Sequence, residues 1–499
     1  MSNLSDLLPA GAGGKQVDFV ASGALANGQT VALKTNGTVE VVSGQNESYG
    51  TAVSSGSDNS VYFSGCYNAT TSRIIIIGRG PSSDVIYMIG TVSGNAITFL
   101  NGSNGTAIPP YSGVTTNFMG IASESNSAYV MFVTQEAENN NYGAAIAGLI
   151  SGSSISWGSR YQFASVNVTQ PIGISYDPDA NRFLTLYQQT NQNGYAIVLQ
   201  RTSGTNITSG NRVLFGSSEA PKYFGLSYDT AADKTLITWA KLTGSSGGAR
   251  AAVASISGTT VTIGTVLNIP NSPGAAEMYT AQSALSYDPV LNKHLLLTQA
   301  YFSAGGNFNC GAVILSVSGA AVTGSGAPTA IVAAGGAKFL GAACVYHPAS
   351  GLFAVGIING STGYLTAGTC NISTGTPVLS SLTTTSTVPV SNYALSSFLN
   401  TDIGNVAFVV KGTNNDAHTQ MYAPASSNSS SFIGITDAAI ANGASGSVTI
   451  KGGISSNVTS LTPNTTYYVQ TNGTLSTGPT TVLAGKALSS TSINLDYTT

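Results

Sequence analysis

Asp177, Asp179 and Asn181 stand at positions one, three and five, the opening of a calcium-binding loop. The remainder of such a loop is missing. Arg182 occupies the place of the obligatory glycine, and Gln188 that of the bidentate glutamate. The stretch Asp177-Pro178-Asp179-Ala180-Asn181 therefore reads as a turn, with proline fixing φ and Asp and Asn capping backbone amides. His294 and His347 fall beside comparable turns and read as turn histidines. No His-Glu-x-x-His or Gly-x-Ser-x-Gly occurs, so zinc-protease and serine-hydrolase chemistry lack a carrier. Paired carboxylates for glycoside hydrolysis could be drawn from Glu124, Glu136, Glu138 and Glu219. A lone glutamate in a polar loop is ordinarily solvated, so we expect no catalysis, and no cofactor or metal.

A second kind of chemistry is recognition. The loops at 136–142, 188–195 and 301–308 are rich in Asn, Gln, Tyr and Ser. Tyr142, Asn193, Tyr195, Tyr301, Phe302 and Asn307 are the candidate contact residues. A flat amphipathic ring beside an amide binds sugars or protein surfaces with little entropy lost.

These loops belong to a repeat. Seven copies recur every 52 to 59 residues, marked by Tyr67, Ile121 to Tyr129, Tyr176-Asp177, Tyr228-Asp229, Tyr287-Asp288, Tyr346-His347 and Ser397-Phe398. In each, a period-two run ends at the marker, a turn follows, and an apolar run begins six residues on. A third run and a Ser-Gly turn such as Ser203-Gly204 lead to a fourth. Four antiparallel strands in about 50 residues make one propeller blade. The expected fold is all-β: a seven-bladed β-propeller over 55–431. The tyrosines and aspartates of the markers are assigned structural roles. The seventh copy looks short, so Tyr49-Gly50-Thr51-Ala52-Val53 is expected to complete it, because an open edge invites mispairing.

Charged residues make up 7% of the chain and the net charge is −3, which leaves no basic stripe to neutralise phosphates. Nucleic-acid binding is excluded on that ground. No run of 18 apolar residues exists, so no membrane insertion by a helix is expected. The opening Met1-Ser2-Asn3-Leu4-Ser5-Asp6 lacks the basic and apolar regions of an export signal, which points to synthesis in a cytoplasm. Cys66, Cys310, Cys344 and Cys370 have no metal-ligand spacing and read as small core hydrophobes.

The two ends resemble one another. Val31 to Val39 matches Tyr467 to Leu475 position for position, each as strand, Asn-Gly turn, strand. Further downstream, Tyr49-Gly50-Thr51-Ala52 echoes Ala484-Gly485-Lys486-Ala487. Residues 17–54 and 432–499 are thus expected to form one small β domain, the propeller being an insertion in it, after a tail at 1–16. The opening Met1 to Lys15 with Val17-Asp18-Phe19 resembles the start of virion proteins of tailed phages, marine ones in particular. Phe432 to Ile435, Gly452-Gly453-Ile454, Leu461 to Leu475 and Ala484 to Leu488 are similar to a module at the ends of phage fibre and spike proteins.

That resemblance implies a virion structural protein whose ends attach it to other virion proteins or oligomerise it, a trimer being the first expectation. The propeller would project and bind a host cell-surface glycan, as part of a fibre or adhesin. The alternatives are an architectural tail-nozzle, head-decoration or capsid-fibre subunit, and a glycan-degrading tailspike. Ser154-Ile155-Ser156-Trp157-Gly158 resembles the Asp-box hairpin of sialidases but lacks its Asp.

Overall fold

The computed structural model describes residues 15–495 apart from 35, 55–62, 81–83, 103, 112–113, 170–171, 242–247, 271–276, 303–306, 325, 333–338, 360–361, 381, 386–389 and 413–415. Most of the tail expected at 1–16 therefore lies outside the described residues. The protein is all-β and divides into two compact units, Met1–Glu47 with Pro424–Thr499 and Ser48–Ala423.

Among the described residues of the larger unit, seven five-stranded antiparallel sheets follow one another along the chain. Their first strands are Phe63–Asn68, Thr116–Ser123, Gly173–Asp177, Lys222–Asp229, Glu277–Asp288, Phe339–His347 and Val390–Asn400. Each first strand adjoins the first strand of the next sheet, and that of the seventh adjoins that of the first. Second strands such as Arg73–Arg79 are buried on both faces, with Ile74, Ile75, Ile76 and Ile77 all 0% exposed. Sheets pack against them from both sides, so these strands read as continuous apolar runs rather than as alternation.

Two details depart from expectation. Each sheet has five strands, not four. The third strand, for example Tyr142–Ser151, is long, and two short strands, Ser154–Trp157 and Tyr161–Ala164, share its outer edge. Splitting the outer position covers the whole edge with segments too short to recruit another chain. In the seventh copy, Leu399 rather than Phe398 holds the tyrosine position, because Asn400 pairs with Asn405 as Asp177 pairs with Arg182. Turn length sets this register. In six of the seven sheets the turn uses one left-handed residue four places after the capping side chain, supplied by Ser72, Asn181, Asp233, Asn292, Gly351 and Gly404.

The outer strands of the seventh sheet come from the beginning of the chain. Ser48 and Tyr49 pair with Ala423 and Tyr422, and Val53 and Ser54 with Thr419 and His418. Tyr49 stacks on Tyr422 at 5.2 Å between centroids. Residues 48–54, counted above with the N-terminal segment, thus belong to the seventh sheet.

The smaller unit holds two five-stranded sheets of one topology. One is ordered Gln16–Val20, Ser445–Ile450, Phe432–Thr436, Thr30–Leu33, Val39–Val41. The other is ordered Ile454–Ser455, Ile493–Leu495, Leu483–Ala487, Thr466–Val469, Leu475–Ser476. Both Asn-Gly hairpins are bonded alike: Thr38 N donates to Asn36 Oδ1 at 3.1 Å, and Thr474 N to Asn472 Oδ1 at 3.1 Å. A bulge falls between Val31 and Ala32 in one sheet and between Tyr467 and Tyr468 in the other, at equivalent places. The counterpart of Ala484–Ala487 is 433–436 and not Tyr49-Gly50-Thr51-Ala52. That earlier match fails because residues 48–54 leave the module to pair with the seventh sheet.

Candidate functional site

The marker residues lie at one end of each sheet, where they join neighbouring sheets. Asp177 Oδ1 accepts from Asp179 N and Ala180 N at 3.1 and 2.9 Å, and Asp229 and Asp288 cap their own turns in the same way. The second carboxylate oxygen is left for the next sheet. His294 Nε2 meets Asp229 Oδ2 at 3.2 Å, and the Tyr287 phenol faces the same carboxylate. Tyr346 faces Asp288, and burial together with that charge pushes its pKa up to about 12. Tyr228 is raised by burial and then by Asp177. Tyr176 donates to Asn126 Oδ1 at 3.2 Å. Tyr67 faces Asp402 of the seventh sheet, and burial and that carboxylate push it up to about 12. The largest clamp joins the second and third sheets. Arg201 bonds both oxygens of Glu124, at 2.7 and 2.8 Å, while its guanidinium lies 3.7 Å above the Tyr129 ring.

His294 is fully buried, and burial holds its pKa below the ordinary imidazole value against the pull of Asp229. Burial lowers His347 as well. Both protonate more readily when unfolded. Their contribution is therefore complete above the free imidazole pKa, about 6.5, and is lost as pH falls below it. The melting temperature should fall between pH 7 and pH 5, and less steeply in His294→Gln. Equal slopes for the two proteins would refute the assignment.

The opposite ends of the strands carry the recognition candidates. Tyr195 is half-buried, stacks on Tyr187 at 5.9 Å, and lies beneath the exposed Arg212 guanidinium at 4.9 Å. Asn193 Oδ1 accepts from Ser218 N at 2.8 Å, so it positions a neighbouring connector. That connector carries two non-glycine residues at positive φ, Ser218 and Ala220, and a third, Tyr223, follows at the bulge of the strand Lys222–Asp229. Backbone held in this region costs about 1–3 kcal/mol per residue and concentrates where side chains must be aimed. The side chain aimed here is Glu219, one-fifth exposed. Trp239 Nε1 donates to it at 3.0 Å, and Arg250 Nε stands 3.6 Å away.

Tyr142 begins the third strand of the second sheet, half-buried and apart from this cluster. Tyr301, Phe302 and Asn307 lie on the strands Lys293–Phe302 and Asn307–Ser318 of the fifth sheet, but their side chains fall outside the described residues. The structure thus places two groups at this end of the third sheet: Tyr195 with Arg212 on the face packed against the second sheet, and Glu219 with Trp239 and Arg250 on the face packed against the fourth, with Asn193 bracing the connector that carries Glu219. A repeated signal marked Arg212: Gly158-Ser159-Arg160 and Gly210-Asn211-Arg212 occupy the same place before a fifth strand. Arg160 pairs with the buried Glu136 at 3.2 Å, and Glu138 accepts from Thr115 N at 3.1 Å. Each glutamate weighed for hydrolysis is therefore held by a partner. Among the described residues no group of His, Cys, Asp and Glu could hold a metal ion. The first strands of all seven sheets also line a cavity of about 250 Å³, whose walls include Ser64, Gly120, Gly173, Leu226, Leu285, Cys344 and Ser397.

No family model and no curated protein matches the chain. Solved structures of similar outline exist. A protein from Lactobacillus plantarum is 11% identical over 65% of this chain and 84% of its own, at a TM-score of 0.45. The α-L-arabinofuranosidase of Fusarium graminearum is 10% identical over 62% and 92%, at 0.42. The Aleuria aurantia lectin, a six-bladed β-propeller that recognises fucose, is 10% identical over 66% and 97%, at 0.36.

Proposed function

We propose that the seven sheets of 48–423 are the blades of a β-propeller that binds glycans without cleaving them. The cluster around Glu219 carries this reading. A carboxylate at Glu219, oriented by Trp239 and Arg250, is held on a strained connector, and a ring face at Tyr195 under the Arg212 cation stands on the other face of the same sheet. Fixed polar groups beside an aromatic plane suit a polyhydroxylated ligand, because little ordering is left to do on binding. The contacts between the last sheet and the first support the sevenfold arrangement. Partnered glutamates support a binding role over hydrolysis.

The setting we propose is the particle of a tailed phage. There the duplicated end module would attach the chain to other virion proteins and the propeller would meet the host surface. That setting rests on the sequence resemblance of the two ends alone.

A glycan array followed by titration tests the binding. Wild-type protein should retain a defined glycan class, and Glu219→Gln or Tyr195→Ala should weaken binding about 10-fold, as expected for a lost charge-assisted bond or aromatic contact. The bound polysaccharide should keep its length. Shortening of the polymer would favour the enzyme reading, and absence of any glycan binding would sink the proposal.

A further inference from the structure

Glu136 of the second sheet and Gln189 of the third occupy the same place, each seven residues on from the start of its second strand at Tyr129 or Arg182. Arg160 and Arg212 are equivalent too, each standing just before the fifth strand of its sheet. In the second sheet the Glu136 carboxylate holds the Arg160 guanidinium at 3.2 Å, and the Tyr111 hydroxyl faces the same carboxylate. Where the third sheet meets the fourth, Arg250 and the Trp239 indole share the carboxylate of Glu219 in a similar way. Between these two junctions lies the one where the third sheet meets the second. There Gln189 puts an amide in the carboxylate's place.

The exchange leaves donors without an acceptor. Gln189 is 5% exposed, and its Nε2 has no hydrogen-bond partner. The fully buried Tyr187 hydroxyl faces both Gln189 and Arg212 and is bonded to neither. No carboxylate of the two sheets is left for the exposed Arg212. The chain has no acidic residue between Glu138 and Asp177, or between Asp179 and Glu219. Asp177 and Asp179 lie at the marker end, Glu138 accepts from Thr115 N, and Glu136 and Glu219 are held by Arg160 and Arg250. Across the junction, Gln135 Nε2 donates to the carbonyl of Val168, whose backbone bridges to Gln189, while its buried Oε1 has no donor. Buried polar groups in folded proteins are paired, so three unpaired atoms at one junction mark a missing partner.

We propose that the ligand supplies the missing carboxylate: Arg212 and Gln189 Nε2 bind the acid group of an acidic sugar, and Gln135 Oε1 accepts from one of its hydroxyls. This rests on the glycan reading above and narrows it to acidic glycans. Arginine suits the task because its planar fork meets both oxygens of a carboxylate. The Tyr195 ring beneath the guanidinium holds it in place, so little ordering remains to be done on binding.

Titration with polygalacturonate, alginate and hyaluronate, each compared with the same polymer after reduction of its carboxyl groups to alcohols, tests the proposal. Wild-type protein should bind at least one acidic polymer about 10-fold more tightly than its reduced form, as expected for hydrogen bonds to a charged group. Arg212→Gln should abolish that preference. Gln189→Glu should abolish it as well, by giving Arg212 a carboxylate of the chain's own, with no fall in melting temperature, so that the loss is not one of folding. Equal binding of acidic and reduced polymers, as a buried water in the gap would give, would overturn the proposal and leave the glycan reading standing. Undiminished acid preference in Gln189→Glu would overturn it too. Binding of neither form, with an empty glycan array, would sink both.

Discussion

Arg201→Ala should destabilise the protein by about 3–5 kcal/mol, the range found when one partner of a buried ion pair is removed. The Glu124 side chain is 3% exposed and carries a bidentate bond to Arg201 that joins the second sheet to the third. Without the guanidinium, the carboxylate stays buried, its remaining side-chain donor being Ser127. The loss also removes the cation above Tyr129. Urea denaturation should show a lower midpoint with an unchanged slope, because the same surface is exposed on unfolding. Glu124→Leu with Arg201→Met should recover most of the loss, since an apolar pair of similar volume incurs no charge-burial penalty. A single mutant within about 1 kcal/mol of wild type would show that solvent reaches the pair and screens it.

The sequence makes this clamp hard to foresee, while showing the frame around it plainly. Turn residues are local: Pro178, Asn181 and Gly204 declare their backbone needs in five residues, so the repeat and its hairpins can be read directly. The completion of the seventh sheet by Tyr49 and Val53 is also legible, because a missing strand leaves a countable gap. Glu124 and Arg201 stand 77 residues apart, and no local pattern links them. Glu219 likewise reads as an ordinary loop glutamate until Trp239 and Arg250 come beside it. Asn193 was singled out for ligand contact on composition, but its amide oxygen is used in bracing the connector at Ser218. Composition gives the chemistry of a loop and leaves open which side chains are taken up in holding it. The echo between Tyr49-Gly50-Thr51-Ala52 and Ala484-Gly485-Lys486-Ala487 misled for a related reason. Gly434 and Gly485 are the true equivalents, each so close to the neighbouring strand that a Cβ would meet its carbonyl oxygen, at 2.2 Å from Thr449 and 1.9 Å from Asn494. In the N-terminal repeat the strand of Gly434 pairs with Thr30 to Ala32, hundreds of residues upstream, and that pairing carries the information.

Excising 48–423 should leave a folded protein. In the C-terminal repeat the strands Leu475–Ser476 and Leu483–Ala487 are joined by a short loop. Their equivalents in the N-terminal repeat, Val39–Val41 and Phe432–Thr436, are separated by the entire larger unit, which therefore occupies the position of a loop. The cut ends are held together within the smaller unit. Gly44 pairs with Ser427 and Gln45 with Ser426, Gln45 Nε2 donates to Pro424 O at 3.2 Å, and Ser43 N donates to Asn428 Oδ1 at 2.8 Å. Two apolar clusters, one around Val31, Val39 and Val448 and the other around Ile435, Val469 and Leu495, are built only from residues of this unit. Joining Glu47 to Pro424 through an Asn-Gly turn should therefore give a β-type circular dichroism spectrum and one cooperative melt, because each sheet keeps every strand and the short link adds little closure entropy. The excised 48–423 should fold on its own as well, since residues 48–54 travel with it and keep the edge of the seventh sheet covered. Trimming those seven residues from it should open that edge and turn a soluble product into an aggregating one, which sedimentation would register. If the joined ends gave a disordered chain, the duplicated module would depend on its insertion, and the reading of the larger unit as a loop-borne domain would be wrong.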